Sequence, residues 1–273
     1  MNKTYLVKTD NYTFELDITK YNNDYHIEYG DPNNRRGPCI LMTYRKNSKT
    51  IKLNHIDYYK ACSKDKDLLR GTGTQEMLQT ALKLVIQLFP EITKVFLNDV
   101  SNFKCENTNT KLSSNSDEGE GPEVLLSIYY LLLYGETWYE NKFKAIYSDK
   151  NQRADLNKFK KLLKEKPRMN IFSFYPWQSR AQAHPNLGEF NTWHEYFIYI
   201  KENYGCVFFS DNKHKKEIEN VANIKFVYSE WYIRKKDIDL YAPALGSARY
   251  NIKELKEVKT GGGFTPVFNK YRV

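Results

Sequence analysis

The stretch "LLRGTGTQEM", residues 68–77, decides how this chain reads. Arg70 is followed by Gly71 and Gly73, each trailed by a threonine. Behind them Met77, Leu78, Ala81, Leu82, Val85, Ile86, Leu88 and Phe89 recur at helical spacing. Pro90 ends the run, since proline has no N–H for the helix ladder. A glycine turn that opens a helix exposes successive N–H groups, and the helix end adds a positive partial charge. Such a turn either cradles a phosphate or is only the corner between a strand and a helix. In a cradle the glycines permit close approach or positive φ, and Arg70 adds a charge-assisted contact.

Two nucleotide cradles are excluded. The P-loop needs a Lys-Ser/Thr pair after its last glycine, and none follows here. The dinucleotide turn needs a third glycine where this chain has Glu76, and a parallel strand before it.

The flanks read as an antiparallel arrangement. Upstream, "TYLVKTD" (4–10), "YTFELDIT" (12–19) and "YHIEYG" (25–30) alternate apolar and polar residues, as half-buried strands do. "DPNNRRGP" (31–38) is a loop, and "CILMTYRK" (39–46) with "TIKLNHIDYY" (50–59) reads as a hairpin. Downstream, "ITKVFLNDVS" (92–101) is a strand rich in β-branched and aromatic residues. Residues 106–123 are a polar low-complexity loop. "VLLSIYYLLLYG" (124–135) is an apolar helix that Gly135 ends.

Composition shifts near residue 150, which predicts two domains, 1–149 and 150–273. In the second, 151–166, 190–205 and 213–223 read as helices; "MNIFSFYPW" (169–177), "CVFFSD" (206–211) and parts of 224–238 read as strands. Its aromatics, in "IFSFYPW" and "WHEYFIYI", read as interface-forming. The tail 259–273 combines three glycines with aromatics.

Residues 41–145 resemble the GNAT superfamily of N-acetyltransferases. The family signature, Arg or Gln, two residues, Gly, one residue, then Gly or Ala, is similar to Arg70-Gly71-Thr72-Gly73-Thr74-Gln75. Gln75 stands where the family has a small residue. The order of hairpin, motif, helix, strand and helix also matches, and "WYENKF" (138–143) resembles the family's Tyr-Glu-x-x-Gly-Phe segment.

The resemblance implies an α+β fold: a mixed, mainly antiparallel sheet flanked by helices, with an additional α/β C-terminal half. It implies transfer of an acetyl group from acetyl-coenzyme A, the co-substrate, to an unidentified amine. Residues 70–75 (Arg70, Gly71, Thr72, Gly73, Thr74, Gln75) would hold its pyrophosphate, in a cleft where strands 50–59 and 94–101 splay. Tyr139 would protonate the departing thiolate, and Asp57 or Asp99 would accept the amine's proton through water. His55 and Asn98 are further polar groups there. Each has a plainer reading: glycines as a corner, Tyr139 as core, His55 with Asp57 and Asn98 with Asp99 as surface pairs.

The bulk numbers bound the alternatives. The net charge is +9, but its lysines are interleaved with acids, so solvated helix faces are expected and nucleic acid is an unlikely partner. Cys39, Cys62, Cys105 and Cys206 show no metal-ligand spacing and read as buried thiols. The start lacks an apolar signal core and no run reaches membrane-spanning length, so a cytoplasmic protein is expected. Abundant Asn, Ile, Lys and Tyr resemble proteins of large DNA viruses, in composition only. The competing reading is a catalytically inactive GNAT-fold scaffold or minor capsid protein of a large DNA virus, located in host cytoplasm or virion, with protein partners met through the aromatic C-terminal half.

Overall fold

The computed structural model describes residues 2–30, 37–56, 60–69, 72–99, 102–105, 122–168, 171–172, 187–226, 229–240 and 251–255. Its first half is strands β1 (Asn2–Lys8), β2 (Thr13–Tyr21), β3 (Asp24–Gly30), β4 (Ile40–Arg45) and β5 (Thr50–Ile56). Helix α1 (Thr72–Leu88) and strand β6 (Lys94–Asp99) follow. A short ribbon, β7 (Asn102–Lys104) and β8 (Glu123–Leu125), precedes α2 (Leu126–Tyr134), α3 (Trp138–Phe143) and β9 (Ile146–Tyr147). The rest is α4 (Lys150–Leu162), α5 (Trp193–Tyr204), α6 (Val207–Ser210), α7 (Asn212–Ala222), β10 (Ser229–Arg234), α8 (Lys235–Leu240) and β11 (Asn251–Leu255).

The fold is mixed α+β, with a mainly antiparallel sheet flanked by helices. Nine strands form the sheet in the order β11-β1-β2-β3-β4-β5-β6-β10-β9. Every described neighbour pair is antiparallel except β5–β6, which runs parallel because α1 crosses over between them. Strands from both sides of residue 150 share this sheet, since β10 pairs with β6 and β11 with β1.

Strand alternation gives the sheet two unlike faces. On one, Phe14, Leu16, Ile27, Tyr29, Met42, Tyr44, Ile51, Leu53, Val95, Leu97, Trp231 and Ile233 are at most 5% exposed. α1 covers this face with Met77, Leu78, Ala81, Leu82 and Val85, also buried. Phe89, just past its end, packs 4.6 Å from the Tyr44 ring and 4.9 Å from Tyr25. The opposite face carries Glu15, Asp17, His26, Glu28, Thr43, Lys52, Phe96 and Tyr232, none of them buried.

The helices end where their caps say. Gly135 takes the left-handed conformation that closes α2, and a Cβ there would sit 3.1 Å from the His194 Nε2. The capping box of α3 joins Thr137 and Glu140, and Glu140 also holds Lys160 of α4 at 2.6 Å.

Four readings are corrected. Residues 207–210 form helix α6 rather than a strand; four apolar residues lack the length for periodicity to type them. Lys235–Leu240 is helix α8 rather than strand. Three aromatics of α5 are core rather than surface: Trp193, Tyr196 and Phe197 are at most 2% exposed and pack with Phe172 and Phe208, while Tyr199 and Tyr204 are half-buried. The cysteines form two disulfides, Cys39–Cys62 and Cys105–Cys206, rather than thiols. Separations of 23 and 101 residues carry no local signal of pairing; the fold brings each pair together. The strand read at 169–177 lies largely outside the described residues, as do the polar loop and the tail.

Candidate functional site

The sheet has a break in its middle. β5 and β6 pair from Thr50↔Lys94 to Leu53↔Leu97 and no further. Beyond Leu53, β5 stays with β4 through a bulge at Asn54, whose amide donates to the Thr43 hydroxyl at 2.7 Å. β6 instead stays with β10 out to Asp99↔Ser229. A bulge bends and twists its strand, so the two central strands part at their C-terminal ends. His55 and Asn98 are exposed beside this notch. Asp99 ends β6 there, paired through its backbone; its side chain and Asp57 lie outside the described residues.

The glycine turn is not at this notch. After β5, the Cys62–Cys39 disulfide ties the chain to the start of β4. Next, Lys64 donates its N–H to the Thr13 carbonyl at 2.8 Å, while Asp65 accepts from the Thr13 N–H at 2.9 Å. The Lys64 ammonium meets Glu15 at 2.6 Å. Leu69 then donates its N–H to the Tyr12 hydroxyl at 3.3 Å. The link therefore crosses the ends of β4 and β3 and delivers the start of α1 over β2. Three strand spacings separate β2 from β5, roughly 14 Å.

The start of α1 is also closed. A Cβ on Gly73 would lie 3.0 Å from the Leu68 side chain and 3.1 Å from the Tyr12 hydroxyl. Glycine is needed at 73 because protein packs against it. One residue past the first turn, Glu76 accepts from the Thr9 hydroxyl at 2.8 Å and the Asn11 amide at 3.1 Å. These two bonds tie α1 to the turn between β1 and β2. Thr72 is exposed, Thr74 and Gln75 are half-buried, and Arg70 and Gly71 are outside the described residues. Of the described residues of the turn, Gly73 and Glu76 are taken up by contacts within the protein.

Tyr139 lies in α3, 2% exposed, its ring 4.9 Å from Trp138 in an edge contact. Counted from Tyr139, the glycine of the resembled segment falls on Phe143, yet the left-handed residue closing α3 is Lys144. The segment is out of register by one residue, and Tyr139 faces the core.

Sequence reading missed the residues that close the turn, Tyr12, Leu68 and Glu76. No local signal marked these contacts, since Tyr12 and Thr9 reach the start of α1 only through the fold.

Among the described residues, no group of His, Cys, Asp and Glu is placed to hold a metal ion. No described helix is long and apolar enough to cross a membrane. No family model, curated protein or solved structure matches the chain.

Proposed function

We propose that the chain is a non-catalytic protein built on a GNAT-like sheet, a scaffold or adaptor rather than an acetyltransferase. The sheet supports the GNAT-like part: a parallel β5–β6 pair linked by a long helix, splayed at its C-terminal ends and continued by β10 and β9. One observation carries the non-catalytic part. The start of α1 lies over β2, with Leu68 and Tyr12 packed against Gly73 and Glu76 tied to Thr9. Tyr139 in the core supports the same reading, since a buried phenol cannot meet a thiolate in solvent reach. Two disulfides favour an oxidising setting, such as an exterior compartment or an assembled particle, over a reducing cytosol.

The test is titration calorimetry with coenzyme A. No saturable heat at millimolar ligand is expected; saturable binding overturns the reading. The second reading, an acetyltransferase, is favoured by the notch itself, which leaves His55 and Asn98 exposed where two central strands part. Turnover of acetyl-coenzyme A by an amine, lost on Tyr139→Phe, would establish it.

A further inference from the structure

The sheet face opposite α1 carries cross-strand rows that no segment of sequence displays. Register places Thr43, Lys52, Phe96, Tyr232 and Ile146 side by side on β4, β5, β6, β10 and β9. The next row holds Arg45, Thr50, Lys94 and Arg234. Phe96 and Tyr232 are partly exposed, with ring centroids 6.1 Å apart. The Lys94 ammonium stands 4.9 Å from the Tyr232 centroid. Arg45 and Lys94 are exposed, and Lys52 is half-buried.

Two adjacent aromatics on a sheet face, flanked by lysine and arginine, match the chemistry of unpaired nucleobases on a phosphate backbone. Bases stack on the rings, and cations hold the phosphates. A duplex hides its base faces, and among the described residues this surface offers no helix or projecting ribbon to enter a groove. Acids bound the patch. Asp17 and Glu28 face each other on β2 and β3, which confines a polyanion to β4–β10. Asp24 opposite Arg45, Glu230 beside Asn98, and Asp237 paired with Arg234 lie at its margins.

We propose that this face binds single-stranded nucleic acid, with Phe96 and Tyr232 stacking on bases and Arg45, Lys52 and Lys94 contacting phosphates. The site is on the opposite side of the sheet from α1 and does not depend on the absence of catalysis.

The experiment is fluorescence anisotropy of the full chain with labelled oligothymidylate and oligouridylate of about 15 nucleotides. Binding is expected in the micromolar range at about 50 mM salt, weakening roughly 20-fold at about 200 mM if three phosphates are contacted. Phe96→Leu and Tyr232→Leu keep apolar bulk and lose the ring, and each should weaken binding roughly 5- to 100-fold. Lys52→Glu with Lys94→Glu, at solvent-facing positions, should weaken it at least about tenfold. No binding up to about 100 μM protein at low salt overturns the proposal. Affinity unchanged in both leucine variants, or a duplex or polyglutamate competing as well as the single strand, overturns it too.

Discussion

Trp231 and Tyr232 are neighbours on β10 and live in different chemistry. Trp231 faces α1's side, fully buried, its indole N–H donating to the Ser229 hydroxyl at 2.8 Å and its ring 4.7 Å from Tyr147. Tyr232 points the other way, beside Phe96 and under Lys94, partly in solvent. The same contrast runs along the whole sheet. One face is closed by helices and holds the molecule together; among the described residues, the other carries charges and partly exposed rings. Where the sequence motif stands, at the start of α1, the closed side wins, and glycine serves packing. Substitutions on the closed side should therefore be read in stability, and those on the open side in binding.

The largest expected effect is on the tie of the helical layer. Cys105→Ser with Cys206→Ser opens a link across 101 residues and should lower stability by about 4–5 kcal/mol, measured by denaturant melts with and without reductant. Equal melts in both conditions would show that the bond does not form. Trp231→Ala should cost about 3–5 kcal/mol through lost burial and a cavity. Gly73→Val should cost about 2 kcal/mol, because its branches meet Leu68 and Tyr12, and Leu68→Ala should restore part of that loss in the double variant. A stability-neutral Gly73→Val would return the glycine to a ligand role. Tyr232→Leu, one residue from Trp231, should stay within about 1 kcal/mol of the parent. A loss as large as that of Trp231→Ala would mean that the open face is covered.

The smallest effect concerns pH. Partial desolvation by the neighbouring strands raises the Glu28 carboxyl above its ordinary value, Asp17 adds to this, and His26 opposes it. The native state thus keeps this proton to a higher pH than the unfolded chain does. Its contribution is present at acid pH and is lost as pH rises past the ordinary glutamate range. Glu28→Gln should flatten that part of the stability–pH curve, slightly, since Glu28 is exposed. An unchanged curve would show that the fold does not raise the Glu28 carboxyl.

Much of the fold was legible because periodicity is local. The run from Met77 to Phe89 could only be an amphipathic helix, and α1 starts at Thr72, three residues before the spacing alone would begin it. Gly135 and Pro90 marked helix ends by their own backbone limits. The alternation of 12–19 and 25–30 gave β2 and β3. β11 was missed, since Asn251–Leu255 carries two charged residues and little alternation to mark an edge strand. The candidate site was far less legible. The motif specified a glycine-opened helix, and nothing local specified where the link 57–71 would carry it. The aromatic platform was invisible, because Phe96 and Tyr232 come from strands far apart in the chain and meet only through β6–β10 pairing.

The sequence by itself determined the strands β1 to β6, the long helices α1, α2, α4, α5 and α7, and which strand residues share a face. Those follow from periods of 3.6 and 2 and from backbone limits that each residue carries with it. Only the tertiary structure decided the rest: that the two central strands part at Asn54, that the cysteines pair, that Tyr12 and Leu68 close on Gly73, and that rings and lysines gather on the open face. These depend on which strands become neighbours, and neighbourhood is set by burying the whole apolar face at once, a property of no single segment.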